Sequence, residues 1–279
     1  MLLCDVDAES YVVTPDRIQA LIENNKDKKI TAIIIVHEFG YPVAVEAISK
    51  IARDNNIKLI EDAACALGTT ADNHHVGYFS DATCLSFHPR KALTTGEGGA
   101  VISNQPRVIE SIKILRNHGI HSVEGKMDFI LDGLNYRMTD FQAALAIGQM
   151  ERFSETLHCR ETLVREYYSL LEGHKGITLP AQSKGHSWQS FMIVLDSAID
   201  RDLMIKQLLK EGIQSNLGAQ AIHCLTYFKN KYALADSKYP NATNLYKQGL
   251  VLPLHAKLVC ADIEKVCTEL SKCITLEVA

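Results

Sequence analysis

The run Thr31-Ala-Ile-Ile-Ile-Val-His37 constrains the fold more than any other stretch of the chain. A near-continuous apolar and β-branched segment of this length reads as a strand of a parallel sheet, buried on both faces. Its surroundings agree. Thr14-Pro15-Asp16 supplies an N-cap and a first-turn proline, and the helix from Asp16 to Asn24 carries Ile18, Leu21 and Ile22. Glu38-Phe-Gly-Tyr-Pro42 is a turn, Val45 to Asn55 a second helix, and Lys58 to Glu61 a second strand. Strands alternating with helices imply an α/β fold with a mostly parallel sheet and right-handed crossovers. Met1 to Val6 is also apolar and strand-like.

The next stretch carries chemistry. Ala82-Thr-Cys-Leu-Ser-Phe87 reads as a buried strand and Gly99-Ala-Val-Ile-Ser103 as another. Between them lie Lys91, a proline two residues before it, and Thr94-Thr-Gly-Glu-Gly-Gly99 after it. Glycines let backbone approach a ligand closely. A lysine desolvated at a strand edge loses its proton more readily and becomes a nucleophile toward carbonyls. The alternative is a solvated lysine on a hairpin. Upstream, the strand in Ile57-Lys-Leu-Ile-Glu-Asp62 ends in two carboxylates, at the edge where open α/β sheets bind ligands. A lysine and an aspartate at neighbouring strand ends suit pyridoxal phosphate: the lysine forms the Schiff base and the aspartate pairs with the pyridinium nitrogen. The alternative for Asp62 is a helix N-cap before Ala63-Ala64.

Composition excludes several classes. The formal net charge of -4 gives no reason to expect nucleic acid or an acidic membrane as partner. No apolar run is long enough to cross a membrane, and MLLCDVDAES lacks the basic start and long apolar core of a secretion signal. The eight cysteines are scattered without a CxxC pair, so the reading is reduced thiols in a cytoplasmic protein with no metal site. Cys84, within an apolar strand, and Cys65, after a strand end, read as buried thiols. The length of 279 residues allows one large domain or two smaller ones.

Further along, Arg107 to Asn117 reads as a helix and Gly119 to Leu131 as irregular. Thr139-Asp140 opens a helix whose apolar pattern runs from Phe141 through Met150 to Tyr167 and Leu171, long enough to bridge two domains. Beyond it come a strand at Ser190 to Leu195, a helix from Asp200 to Gly212, a possible strand at Ile213 to Leu217, a helix from Ala242 to Gly249, a strand at Leu250 to Leu254 and a terminal helix from Cys260.

Three stretches, IEDAACALG, VGYFSDATCLSFHPRKALTTGEGGAVISN and LDGLNYRMTDFQAALAIGQM, resemble the DegT/DnrJ/EryC1/StrS family of sugar aminotransferases. The resemblance runs from about Asp5 to the C-terminus. It implies the fold of type I pyridoxal-phosphate enzymes, with a large cofactor-binding domain over residues 1–150 and a small α+β domain over residues 151–279. It also implies that Lys91 carries the cofactor, that Asp62 is the pyridinium partner, that Ser86 binds the phosphate, and that Asn135 reaches the cofactor phosphate of a neighbouring subunit in a homodimer with shared active sites. Cys65 stands where the family usually has His or Gln near the ring. His88, Arg137 and His223 are candidate substrate contacts, and Glu97 a brace for the loop. For His88 the alternative is packing on the loop; for Arg137 it is a salt bridge to a helix. Relatives carry further residues ahead of the point matching Met1, which hold the first strands and part of the phosphate cradle, so the large domain is expected to be incomplete.

The function these readings imply is transamination of a nucleotide-linked keto-sugar, with an amino acid donor, expected to be glutamate, for amino-sugar or surface-polysaccharide biosynthesis. Lys91 itself argues against the sugar dehydratase branch of the family, where a histidine takes its place. The rival expectation is a truncated, catalytically silent relative that only dimerises or binds a partner.

Overall fold

The computed structural model describes residues 1–278. Helix α1 (Pro15–Glu23) starts after Thr14 with Pro15 in its first turn. Strand β1 (Ala32–Val36) runs parallel to β2 (Lys58–Asp62), and α2 (Val45–Asp54) connects them. A small hairpin pairs β3 (Thr70–Ala71) with β4 (His74–His75). Strand β5 (Ala82–Ser86) then extends the parallel sheet, and β6 (Gly99–Ile102) pairs with it antiparallel, giving the order β1-β2-β5-β6. Helix α2 buries Val45, Ile48 and Ala52 at helical spacing. They join Val12, Ile18, Ile35, Val43 and Leu59 in one core cluster.

Register decides what each strand residue faces. Paired residues share a face, and successive residues alternate. Ile35, Glu61 and Thr83 form one row across the sheet, and all are buried. Val36, Asp62, Cys84 and Val101 form the next row, on the opposite face. That second face is open: Ile34 is 65% exposed and Val36 40%. The expectation of burial on both faces therefore fails for β1. Among the described residues, the core cluster with α1 and α2 lies on the face of Ile35 and Leu59. The same geometry corrects Cys84, which is exposed rather than buried because it belongs to the open row.

Helix α3 (Pro106–Leu115) leads to a second departure. The stretch read as irregular is a hairpin, β7 (Ile120–Val123) with β8 (Lys126–Phe129). Its base closes where Gly119 meets Gly133; a Cβ on Gly119, whose φ is +75°, would collide with the Leu131 carbonyl. The long helix read from Thr139 onward is two helices. Helix α4 (Asp140–Met150) begins in a capping box between Thr139 and Gln142, and α5 (Phe153–Leu171) follows after the chain leaves helical geometry at Arg152. The break seats Phe153 and Leu157 over Gly68. The apolar side chains of α4 remain exposed, Phe141 at 77% and Ile147 at 63%.

The rest of the chain builds a second, antiparallel sheet. Strands β9 (Ile177–Thr178) and β10 (Phe191–Leu195), helix α6 (Arg201–Lys210), β11 (Asn216–Leu217), α7 (Thr226–Tyr232), α8 (Pro240–Gln248), β12 (Gly249–Leu252) and α9 (Cys260–Val278) follow in order. The sheet order is β11-β12-β10-β9. Every residue of β10 is buried. Tyr167 of α5 stacks on Phe191 with ring centroids 4.6 Å apart, at the centre of a cluster that includes Met204, Leu208, Ile263 and Leu270.

Met1 to Val6, read as strand-like, forms no strand. Its hydrogen bonds go elsewhere. The Asp5 carboxylate accepts the amides of Asn241 and Ala242 at 3.1 and 2.9 Å, at the start of α8, where unpaired N–H groups favour an anion. Tyr11 then packs with Phe39, Met192 and Val194, so the N-terminal segment joins the two sheets.

Candidate active site

The parallel strands end together. Lys91 lies on the loop between β5 and β6, half-buried, and its Nζ donates to Cys65 Sγ at 2.9 Å. The backbone fixes this loop first: the Phe87 amide donates to the Gly98 carbonyl, the Thr95 amide to the Phe87 carbonyl, and the Lys91 amide to the His88 carbonyl. Distant glutamines then clamp it. Gln189 accepts the Ala92 amide at 3.1 Å and donates to the Arg90 carbonyl at 2.6 Å, so one side chain grips both neighbours of Lys91. Gln189 is itself held through its backbone. Its amide donates to the Phe39 carbonyl, and its carbonyl accepts from the buried Arg160 at 2.9 Å. Gln149 closes a two-bond ring on Thr94, and Gln142 donates to the Glu97 carbonyl at 2.7 Å. No motif in the sequence marks Gln189 or Arg160, and although Gln142 and Gln149 fall within LDGLNYRMTDFQAALAIGQM, nothing there marks them as clamps. Each acts across a long separation that only the fold closes.

The electrostatics follow from burial and from register. Glu61, inside the sheet, has its carboxyl pushed up by burial. Hydrogen bonds, first from His37, outweigh this and hold it below the usual range. His37 Nε2 stands 2.8 Å from Glu61, and both side chains are fully buried. Asp62, one residue on, lies in the open row; its Oδ1 accepts the Ala64 amide at 3.0 Å, the local turn that the N-cap alternative anticipates, although no helix follows. Glu38, absent from the candidates above, sits just past β1. Phe39 after it takes φ 56°, a left-handed geometry that is strained for an aromatic residue. Burial pushes the Glu38 carboxyl up, Lys91 opposes this, and Asp62 adds to it. Burial and then Glu38 likewise push the Cys65 thiol up, against the pull of Lys91.

The remaining candidates divide. Ser86 ends β5, opposite Gly99, and its Oγ accepts the His88 amide at 3.3 Å. His88 Nδ1 accepts the Arg90 amide, and its Nε2 lies 3.9 Å from the Glu97 carboxylate, so both residues help shape the loop. Asn135 and Arg137 are exposed and sit together by the α3 hairpin: Asn135 bridges to Asn117, and Arg137 donates to Asn117 Oδ1 at 2.8 Å. No described hydrogen bond joins either to the Lys91 loop. His223 is also apart. It is buried, hydrogen-bonded to Thr243 at 2.8 Å and packed on Tyr239. His223, Cys224 and Asp236 have ligand atoms within 4.8 Å of one another, a cluster that sequence spacing did not suggest.

An amine, a carboxylate on the open sheet face and a hydroxyl at the next strand end are the donor set that pyridoxal phosphate requires. Asp62 and Ser86 end the parallel strands β2 and β5 and Lys91 lies on the loop after β5, so the three would suit such a group.

Comparison with known proteins bears on the same residues. A family model for the DegT/DnrJ/EryC1/StrS aminotransferase family matches residues 1–271. Protein MJ1066 of Methanocaldococcus jannaschii is 31% identical over 285 residues, covering 97% of this chain and 73% of that protein. Among solved structures, a DegT/DnrJ/EryC1/StrS aminotransferase from Brucella abortus is 27% identical with a TM-score of 0.86, covering 97% of this chain and 72% of the other. Spr1654 of Streptococcus pneumoniae, in its pyridoxal-phosphate form, is 25% identical with a TM-score of 0.89, covering 100% and 76%. The chain therefore belongs to the DegT/DnrJ/EryC1/StrS aminotransferase family, pyridoxal-phosphate-dependent enzymes of fold type I.

Proposed function

We propose that the chain transfers an amino group to a nucleotide-linked keto-sugar, with glutamate as donor, in cytoplasmic amino-sugar biosynthesis. The observation that carries this reading is Lys91, whose amine is held at the mouth of the parallel sheet within reach of Cys65 and under the field of Glu38. Spr1654, described as a candidate sugar aminotransferase, supports a sugar as acceptor. Lys91 would bind the cofactor through Nζ, Asp62 would pair with its ring nitrogen, Ser86 would take a phosphate oxygen, and Cys65 would lie beside the ring. When bound, the cofactor acts as an electron sink for bonds at the donor carbon. Freed of it, the Lys91 amine accepts and returns a proton, the general acid/base of both half-reactions. Gln189 and Gln149 keep that amine in one place while it does so.

We assign residues 1–150 to the cofactor-binding part and residues 151–279 to the smaller part. The exposed apolar side of α4, with Phe141 and Ile147, supports pairing with a second copy, and Asn135 and Arg137 lie on the same exposed arm. In that arrangement Asn135 reaches the neighbour's cofactor phosphate and Arg137 a substrate carboxylate or phosphate. His88 stays a loop residue with a face toward substrate. His223 keeps only a remote claim as a substrate contact.

A second reading, a binding or dimerising relative without turnover, draws on the open apolar face of β1. Pyridoxal phosphate added to the purified chain, followed by borohydride reduction and peptide mapping, separates the two. Label on Lys91 with keto-sugar-dependent turnover supports transamination, and Lys91→Ala then abolishes both. A chain that never takes label supports the second reading.

A further inference from the structure

We propose that Cys65 and Lys91 form a peroxide-responsive modification site, in which oxidation of the thiol leads to a covalent sulfur–nitrogen bond between the two side chains. The distance carries the argument. Nζ and Sγ stand 2.9 Å apart, closer than the separation at which held groups react as one molecule. The pair is also fixed from both ends. Gln189 grips the peptides on either side of Lys91. Cys65 lies in the tight turn after β2, where the Ala63 amide donates to the Cys84 carbonyl and the Ala66 amide to the Ala63 carbonyl. Both side chains are half-buried: small oxidants reach them, bulky thiols less readily.

The chemistry balances in two steps. A hydroperoxide gives one oxygen to the sulfur; the thiol becomes a sulfenic acid, oxidised by two electrons, and hydrogen peroxide is reduced to water. Once Lys91 has passed its extra proton to solvent, its amine attacks the sulfur. A nitrogen–sulfur bond forms, the sulfur–oxygen bond breaks, and the hydroxide leaves as water with a proton from the nitrogen. The product is a sulfenamide. A thiol reverses it by attacking the sulfur and releasing the amine, as in thiol–disulfide exchange.

The surroundings tune the first step. Burial and Glu38 disfavour the thiolate, and Lys91 favours it, so the thiol reacts slowly until peroxide rises. The second step needs no encounter, because the nitrogen that loses the proton is already held against the sulfur. The bond ties up the amine to which the cofactor attaches, making a reversible off-state. That consequence rests on the role proposed for Lys91; the bond itself does not.

The test uses the purified chain without added cofactor. It is treated with hydrogen peroxide, alkylated, digested and mapped by mass spectrometry. The expected product is a joined pair of peptides, one with Cys65 and one with Lys91, lighter than their sum by two hydrogens and separated again by dithiothreitol. Cys84→Ser keeps the product; Cys65→Ser and Lys91→Arg lose it. Cys65 carrying two or three oxygens while Lys91 stays free overturns the proposal. So does an unmodified Cys65 at a peroxide dose that oxidises Cys84. A second arm repeats the treatment after loading with pyridoxal phosphate. Suppression of the joined pair agrees with attachment at Lys91. A pair that forms equally well in the loaded protein upholds the bond and refutes Lys91 as the cofactor lysine.

Discussion

Replacing Gln189 by alanine should weaken cofactor capture while the fold persists. The side chain makes two hydrogen bonds, to the Ala92 amide and the Arg90 carbonyl, and both flank Lys91. A hydrogen bond of this kind contributes about 0.5–1.5 kcal/mol net, so the pair is worth about 1–3 kcal/mol. Nothing else described grips both neighbours of Lys91, so the variant loop is looser around Lys91 and must be ordered there when cofactor binds. That cost appears in affinity, as a weakening of roughly fivefold to a hundredfold at 1.4 kcal/mol per tenfold. Gln189→Glu isolates half of the effect, because a carboxylate still accepts from Ala92 but no longer donates to Arg90. Titration of pyridoxal phosphate by absorbance, with thermal unfolding alongside, measures both quantities. A Gln189→Ala chain that captures cofactor as tightly as the parent would refute the argument that the loop is held from this side.

Other outcomes follow from the same geometry. The His37–Glu61 pair is fully buried, and His37→Phe leaves Glu61 without its strongest partner, a loss of about 3–5 kcal/mol in unfolding free energy. Because the folded-state pKa of Glu61 is lowered, its contribution is present above the unfolded carboxylate value, near about 4.3, and fades as pH falls through the lower folded value. Acid titration of unfolding should show the fade in the parent and lose that component in Glu61→Gln. Gly133→Ala puts a Cβ against the Gly119 amide; hydrogen exchange should rise in β7 and β8 while β10 stays protected. Asp62→Asn should leave the unfolding free energy within about 0.5 kcal/mol of the parent, the range for a change outside the core, and, on the role proposed for Asp62, lower the rate of transamination sharply.

Much of the architecture is legible because it is written in periodicity. The Thr31–His37 run, the N-cap at Thr14 and the apolar spacing of α2 lead directly to β1, α1 and the helix-covered face. Lys91 and Asp62 stand out as candidates because glycines and strand ends surround them. What periodicity cannot supply is the partner of a surface. An Ile-rich strand looks the same whether one face or two are covered, so the exposure of Ile34 and Cys84 had no signal. The glutamine clamps were invisible for another reason. A side chain that serves backbone groups 45 or more residues away leaves no local pattern. The break at Arg152 falls within an apolar rhythm that continues across it, and Met1 to Val6 is strand-like in composition yet lacks a strand to pair with. Glu38 could have been found: a carboxylate at the end of a strand next to Asp62 satisfies the argument that singled out Asp62.

The adjacency of Glu61 and Asp62 separates folding from chemistry within two residues. Their backbones share one ladder, and the carbonyl of Asp62 accepts the His37 amide whatever its side chain does. A slip of one residue in the pairing of β2 would exchange their roles, placing Glu61 before solvent and Asp62 among helices, without a change in amino-acid content. The strand is thus intolerant of insertion or deletion but tolerant of substitution at the second acid. For an engineer, the role proposed for Asp62 would make position 62 a place for a silent reference protein; position 61 is a place to make an unfolded one.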